Sequence, residues 1–126
     1  MKKFNWKLLN KSKESRARTG LIKTPHGEIE TPAFIFCGTK AALKSCSTID
    51  AKNNNTQIIL TNTFHLMLQP GSNIIAKHGG IHNFMNWQGP ILTDSGGFQI
   101  FSLGYGSVAD EIKRKNSHQN KSLLNI

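Results

Sequence analysis

The sequence predicts an α/β fold built on parallel strands, and three observations carry that prediction. Two short apolar runs, QIIL at residues 57–60 and PILT at 90–93, are each bounded by polar residues, as strands buried on both faces are. Between them lies a helical signal opened by Pro70 and closed by Gly79 and Gly80, the Pro-first, Gly-last asymmetry of α-helices. The 126 residues suffice for one modest domain, since domains usually take about 100–200 residues. Strand, helix and strand in that order describe a parallel βαβ unit.

The other elements follow along the chain. Two β-leaning runs, residues 21–23 and 28–36, flank Thr24-Pro25-His26-Gly27, so a leading β-hairpin is expected. Ser47 or Thr48 can cap a short helix through Ile49, Asp50 and Ala51 that ends in the asparagines at 53–55. Thr61, Asn62 and Thr63 read as the start of a loop, and the segment holding Phe84, Met85 and Trp87 as another. The strand at 90–93 stops at Asp94-Ser95-Gly96-Gly97, and a helix is expected after Phe98. From Gly104 the sequence turns polar, so residues 104–126 are expected to be a tail, disordered or inserted, behind the body at 1–103. Two or three parallel strands leave a sheet edge unpaired, so the fold is expected to be incomplete.

Composition narrows the function. Sixteen Lys and Arg against seven Asp and Glu give a net charge of +9 and a pI near 9.9. Residues 1–23 alone carry +7, residues 24–109 are neutral, and the rest adds +2. A basic lead-in on a neutral body suits a phosphate-rich partner, because each neutralised phosphate releases counterions; a solvated surface arm is the plainer alternative. No run approaches the ~20 apolar residues of a membrane span, and the first residues lack the apolar core of a signal peptide. A cytoplasmic protein without membrane attachment is expected. Cys37 and Cys46 show no C-x-x-C spacing and are expected to be reduced thiols.

Among residues able to do chemistry, Asp94 stands out at the carboxyl end of a predicted parallel strand, where α/β folds place their ligands. Gly96 and Gly97 beside Ser95 allow close backbone approach to a flat ligand or an anion; D-S-G-G is equally good turn chemistry, and both readings stand. Ser95 is not the centre of a nucleophile elbow, which needs Gly where Thr93 stands. His78 and His82 have i, i+4 spacing, but the intervening Gly79 and Gly80 break the helix that would align them on zinc. His65 reads as structural, and Trp6, Phe84 and Trp87 as core or as base-stacking rings. Gly104-Tyr105-Gly106 lacks the rest of a dinucleotide fingerprint.

Three segments taken together, HGEIETPAF at 26–34, NTFHLMLQPG at 62–71 and GGIHNFMNWQGPILTDSGGFQIFSL at 79–103, resemble the amino-terminal part of bacterial-type tRNA-guanine transglycosylases, the queuine tRNA-ribosyltransferases. The resemblance runs from about Phe4 to Leu103. It implies the opening portion of a (β/α)8 TIM-type barrel and the replacement of guanine at the tRNA wobble position by a deazaguanine precursor of queuosine. It implies tRNA and a guanine or deazaguanine base as partners, and a homodimer for the complete protein. By the same resemblance Asp94 is the acid/base aspartate; Asp94, Ser95, Gly96, Gly97 and Phe98 hold the base, with the Phe98 ring stacked on the purine. Base displacement at an anomeric carbon calls for two carboxylates, as in retaining glycosidases, and the target base must leave its stack.

The sequence departs from the family's pattern in places. Phe36 and Cys37 replace a proline and a valine, Thr61 stands where glycine usually precedes N-T, and Gln88 where aspartate usually follows the tryptophan. The implied nucleophilic aspartate and Cys3His zinc site fall beyond Ile126, so no cofactor is expected within these residues. A transglycosylase fragment inactive by itself, a non-catalytic tRNA- or partner-binding remnant, and an unrelated phosphate-binding α/β module are the three readings, the last only if the long match is accidental.

Overall fold

The computed structural model describes residues 4–105, and the chain divides into two units, one ending at Asp94 and one starting at Ser95. In the first unit, β1 (Asn5–Lys11), β2 (Arg18–Thr24) and β3 (Gly27–Thr31) form an antiparallel sheet in that order. The predicted hairpin is present: Thr24 pairs with Gly27, His26 donates to Thr24 Oγ1 at 3.2 Å, and Gly27 adopts a φ of +139° that side-chain-bearing residues rarely take. The leading element is larger than a hairpin, however. The basic lead-in supplies a third strand, because NWKLLNK puts Trp6 and Leu8 on one face opposite Ile22 and Gly20. The Trp6 indole lies over Gly20, where a Cβ would come within 2.8 Å of Nε1. The strand expected over 28–36 stops at Thr31, since Pro32 has no N–H to carry the ladder further.

The second sheet is parallel and ordered β4 (Phe36–Cys37), β5 (Ile59–Asn62) and β6 (Ile91–Asp94). The α/β class is therefore as expected. The β4–β5 crossover contains α1 (Thr48–Asn53), capped by Ser47: its Oγ accepts from Asp50 N–H at 3.0 Å, and Asp50 Oδ2 accepts from Ser47 N–H at 3.2 Å. The β5–β6 crossover holds three short helices, α2 (Thr63–Leu68), α3 (Ser72–Lys77) and α4 (Ile81–Met85). Thr61 and Asn62 belong to β5 rather than to a loop, and Thr63 begins α2. Pro70 precedes α3, whose cap is Gly71 at φ +98°, while Gly79 closes it as predicted. The expected loop around Phe84 is largely α4.

Side-chain alternation gives the parallel sheet two faces. Ile59 points to the helices and packs with Ala41, Ala51, Leu66, Met85 and Trp87. Trp87 is thus core, and its indole N–H donates to Pro90 O at 3.1 Å. Leu60 and Asn62 alternate to the other face, in register with Leu92 and Asp94. In the second unit, α5 (Gly97–Tyr105) is the helix expected after Phe98; it already begins at Gly97 and runs two residues into the predicted tail. The rest of that tail, residues 106–126, lies outside the described residues.

Candidate active site

The first unit builds a carboxylate site at the carboxyl ends of β5 and β6. Asn62 and Asp94 are register partners in adjacent parallel strands, and Asn62 Nδ2 donates to Asp94 Oδ2 at 2.7 Å. Asn62 is 4% exposed and Asp94 half-buried. The amide cannot turn freely. As the N-cap of α2, Asn62 accepts the His65 N–H on Oδ1 at 3.1 Å, which leaves Nδ2 as the group facing the aspartate. Its backbone N–H donates to Thr39 O at 3.2 Å, tying the position to the segment after β4. Sheet register, helix cap and preceding loop therefore converge on one side chain, which fixes the carboxylate it touches. A carboxylate held at a parallel strand end can transfer protons to a ligand lying above the sheet.

Asn62, the partner of Asp94, was not singled out by the sequence. Its signal was available: an Asn directly before the apolar pattern of TFHLML is an N-cap signature. The predicted base-holding residues open the second unit. Ser95 Oγ accepts from Gly97 N–H at 3.3 Å, Gly96 takes φ +77°, and Gly96 O accepts from Ile100 N–H at 3.1 Å. Phe98 is 76% exposed.

The other candidates have structural places. His65 is half-buried with its ring edge-on to Phe64. His78 bonds Ile74 O through Nδ1 and meets Phe84 edge-on, whereas His82 stacks on His26 with centroids 3.7 Å apart, so the two histidines do not converge. Burial pushes the His82 imidazole below its ordinary range, with the His26 ring adding to this and the Gly89 backbone opposing it. Cys37 and Cys46 are exposed free thiols. No group of three or more His, Cys, Asp or Glu residues able to hold a metal occurs among the described residues, and two cysteines cannot supply a Cys3His set. No helix among them is long and apolar enough to cross a membrane. A cleft lined by His26, Thr48, Lys52, Gln57 and Pro90 sits at the amino ends of β5 and β6, the opposite end from Asp94.

Comparison with known proteins identifies relatives of the chain. The family model described as queuine tRNA-ribosyltransferase matches residues 12–125. A queuine tRNA-ribosyltransferase of Roseiflexus sp. (strain RS-1) is 58% identical over 105 residues, covering 83% of this chain and 26% of that protein. Its namesake from Protochlamydia amoebophila is 48% identical over 114 residues, 90% of this chain and 30% of the relative. A third, from Halothermothrix orenii, is 57% identical over 100 residues, 79% of this chain and 27% of the relative. The chain thus spans between a quarter and a third of the length of these curated relatives. With Asn62 and Asp94 set at neighbouring strand ends inside a match that takes in nearly all the described residues, the chain belongs to the queuine tRNA-ribosyltransferase family.

Proposed function

We propose that this chain provides the opening part of a tRNA base-exchange enzyme of queuosine biosynthesis, one that replaces guanine at the anticodon wobble position with a deazaguanine. The observation that carries the reading is the Asn62–Asp94 hydrogen bond at the carboxyl ends of two adjacent parallel strands, in a chain of this family. The three parallel strands with helical crossovers are the first portion of a (β/α)8 barrel, whose ligands gather at that end of the strands.

Asp94 is the proton-transfer group. Bond breaking at the ribose anomeric carbon builds oxocarbenium character, and the departing guanine needs a proton that the incoming base later returns. Asp94 moves that proton, and Asn62 positions it without touching the substrate. Ser95, Gly96 and Gly97 bring bare backbone to the edge of the base, and Phe98 stacks on its plane. The second carboxylate, the nucleophile, is implied by the resemblance and falls outside these residues, as does the implied zinc site. The partner is tRNA, the setting cytoplasmic, and the complete protein a homodimer, as the resemblance implies.

A chimera tests this. The matched quarter of the Roseiflexus relative is replaced by this chain's residues, and incorporation of labelled guanine into tRNA is followed. The chimera is expected to exchange base, and Asp94→Asn is expected to lower the rate by about 10²–10⁴ while tRNA binding persists. Exchange by Asp94→Asn at the parent rate would remove Asp94 from the chemistry. A folded chimera that binds tRNA without exchange would favour the non-catalytic remnant.

A further inference from the structure

Among the described residues a dense group of cations lies away from Asp94, at the end of the antiparallel sheet where β1 turns into β2. Within residues 11–18 stand Lys11, Lys13, Arg16 and Arg18 against the single anion Glu14, all exposed. None of the four cations has an ion-pair partner among the described residues; the pair that does form, Lys23–Glu28 at 2.8 Å, belongs to the opposite end of β2. Lys11 and Arg18 are direct cross-strand partners. Like charges at that spacing destabilise a strand pair, so the sheet keeps an arrangement that costs it stability.

The loop that carries these cations is braced. Ser12 N–H donates to Ala17 O at 2.9 Å, Ser12 Oγ accepts from the N–H groups of Glu14 and Ser15 at 3.1 Å each, and Ser15 Oγ accepts from Ala17 N–H at 3.2 Å. A braced loop presents charge without a large ordering cost on binding. Its sequence, KSKESRAR, has Ala17 as its only apolar side chain, so it offers nothing to insert into a bilayer. Two arginines and two lysines, exposed and without an ion pair among the described residues, are instead suited to phosphate oxygens.

We infer that the β1–β2 loop, through Lys11, Lys13, Arg16 and Arg18, is a docking surface for the RNA sugar–phosphate backbone. The inference rests on the proposed function for its choice of RNA, and it adds a contact surface separate from the strand-end site. It makes binding tighter and salt-dependent without reading sequence, since phosphate contacts position and base contacts specify.

The test is fluorescence anisotropy of the full chain on an unmodified tRNA transcript across a salt series. The variant Lys11→Gln/Lys13→Gln/Arg16→Gln/Arg18→Gln removes the charge. Lys11→Arg/Lys13→Arg/Arg16→Lys/Arg18→Lys keeps it. With each neutralised phosphate contributing about 0.7–0.9 to the slope of log affinity against log salt, the neutral variant is expected to lose about three units of slope. Its affinity near 0.1 M salt is expected to fall by about a hundredfold or more. The charge-preserving variant should bind as the parent does, and the urea midpoint of the neutral variant should be no lower than the parent's, because repulsion is relieved. Unchanged affinity and slope in the neutral variant overturn the inference, as does tighter binding of the parent to phosphatidylserine vesicles than to tRNA. Neither result touches the Asp94 reading, which the Asp94→Asn chimera decides by exchange with binding intact.

Discussion

Asn62→Asp is the most informative single change in the site. It keeps side-chain volume, and it keeps the cap, because a carboxylate oxygen accepts the His65 N–H as well as the amide oxygen does. What changes is the 2.7 Å contact to Asp94 Oδ2, where a donor becomes an acceptor with like charge. Losing a hydrogen bond to a charged group costs about 1.5–3 kcal/mol. Two carboxylates at that distance cannot both ionise cheaply, so in the variant the pair shares a proton and titrates above the ordinary carboxylate range. A folded-state pKa raised above the unfolded value gives stability that is present at low pH and lost as pH rises through the raised value. Urea unfolding of parent and variant at about pH 5 and about pH 8 should therefore show a penalty that grows with pH, reaching about 2–3 kcal/mol at the upper value. Asn62→Ala, which loses cap and contact together, should show a penalty without that added slope. A variant as stable as the parent at both pH values would mean that the Asn62–Asp94 contact does not fix the site.

Two other predictions concern stability. Thr61 is fully buried on the helix-facing side of β5 and its Oγ1 has no hydrogen-bond partner among the described residues, so Thr61→Val, which exchanges the hydroxyl for a methyl and keeps the β-branch, should raise stability by about 1 kcal/mol in a urea melt; a clear loss would show that the hydroxyl is paired. His82 is held below the ordinary imidazole range by burial first and the His26 ring second, so the unfolded chain binds the proton more tightly. Stability should be full above about pH 6.5 and fall as the solution is acidified below it, and His82→Phe, which keeps an aromatic ring against His26, should flatten that fall relative to the parent. Identical pH profiles for parent and variant would exonerate His82.

The sequence disclosed the fold where one residue type dominated a segment. The apolar runs before Asn62 and Asp94 announced β5 and β6, and Gly79 and Gly80 announced the end of α3. It misled where the deciding force was tertiary. Helices α2 and α4 have six and five residues, too few for a 3.6-residue period to declare itself, and they persist because Leu66 and Met85 pack against Ile59. β1 was masked by its lysines, since Lys7 sits between Trp6 and Leu8 and the register shift after Leu8 hides the alternation that would have marked a strand. Thr61 and Asn62 looked like a loop because they are polar, yet both are buried in β5.

That last misreading follows from the site itself. Burying an amide costs free energy unless its hydrogen bonds are made, and Asn62 makes them by joining the capped end of α2 to the carboxylate of β6. A local rule that assigns polar residues to loops fails where a polar residue is required inside a strand, and such failures concentrate at functional positions. Thr61 is the counterpart: it is polar, adjacent and fully buried, but its Oγ1 makes no such link, and it stands where the resemblance expects glycine. Of two neighbouring exceptions, Asn62 links the cap of α2 to the carboxylate of β6, and Thr61 marks where this chain has taken on a cost that Thr61→Val should relieve.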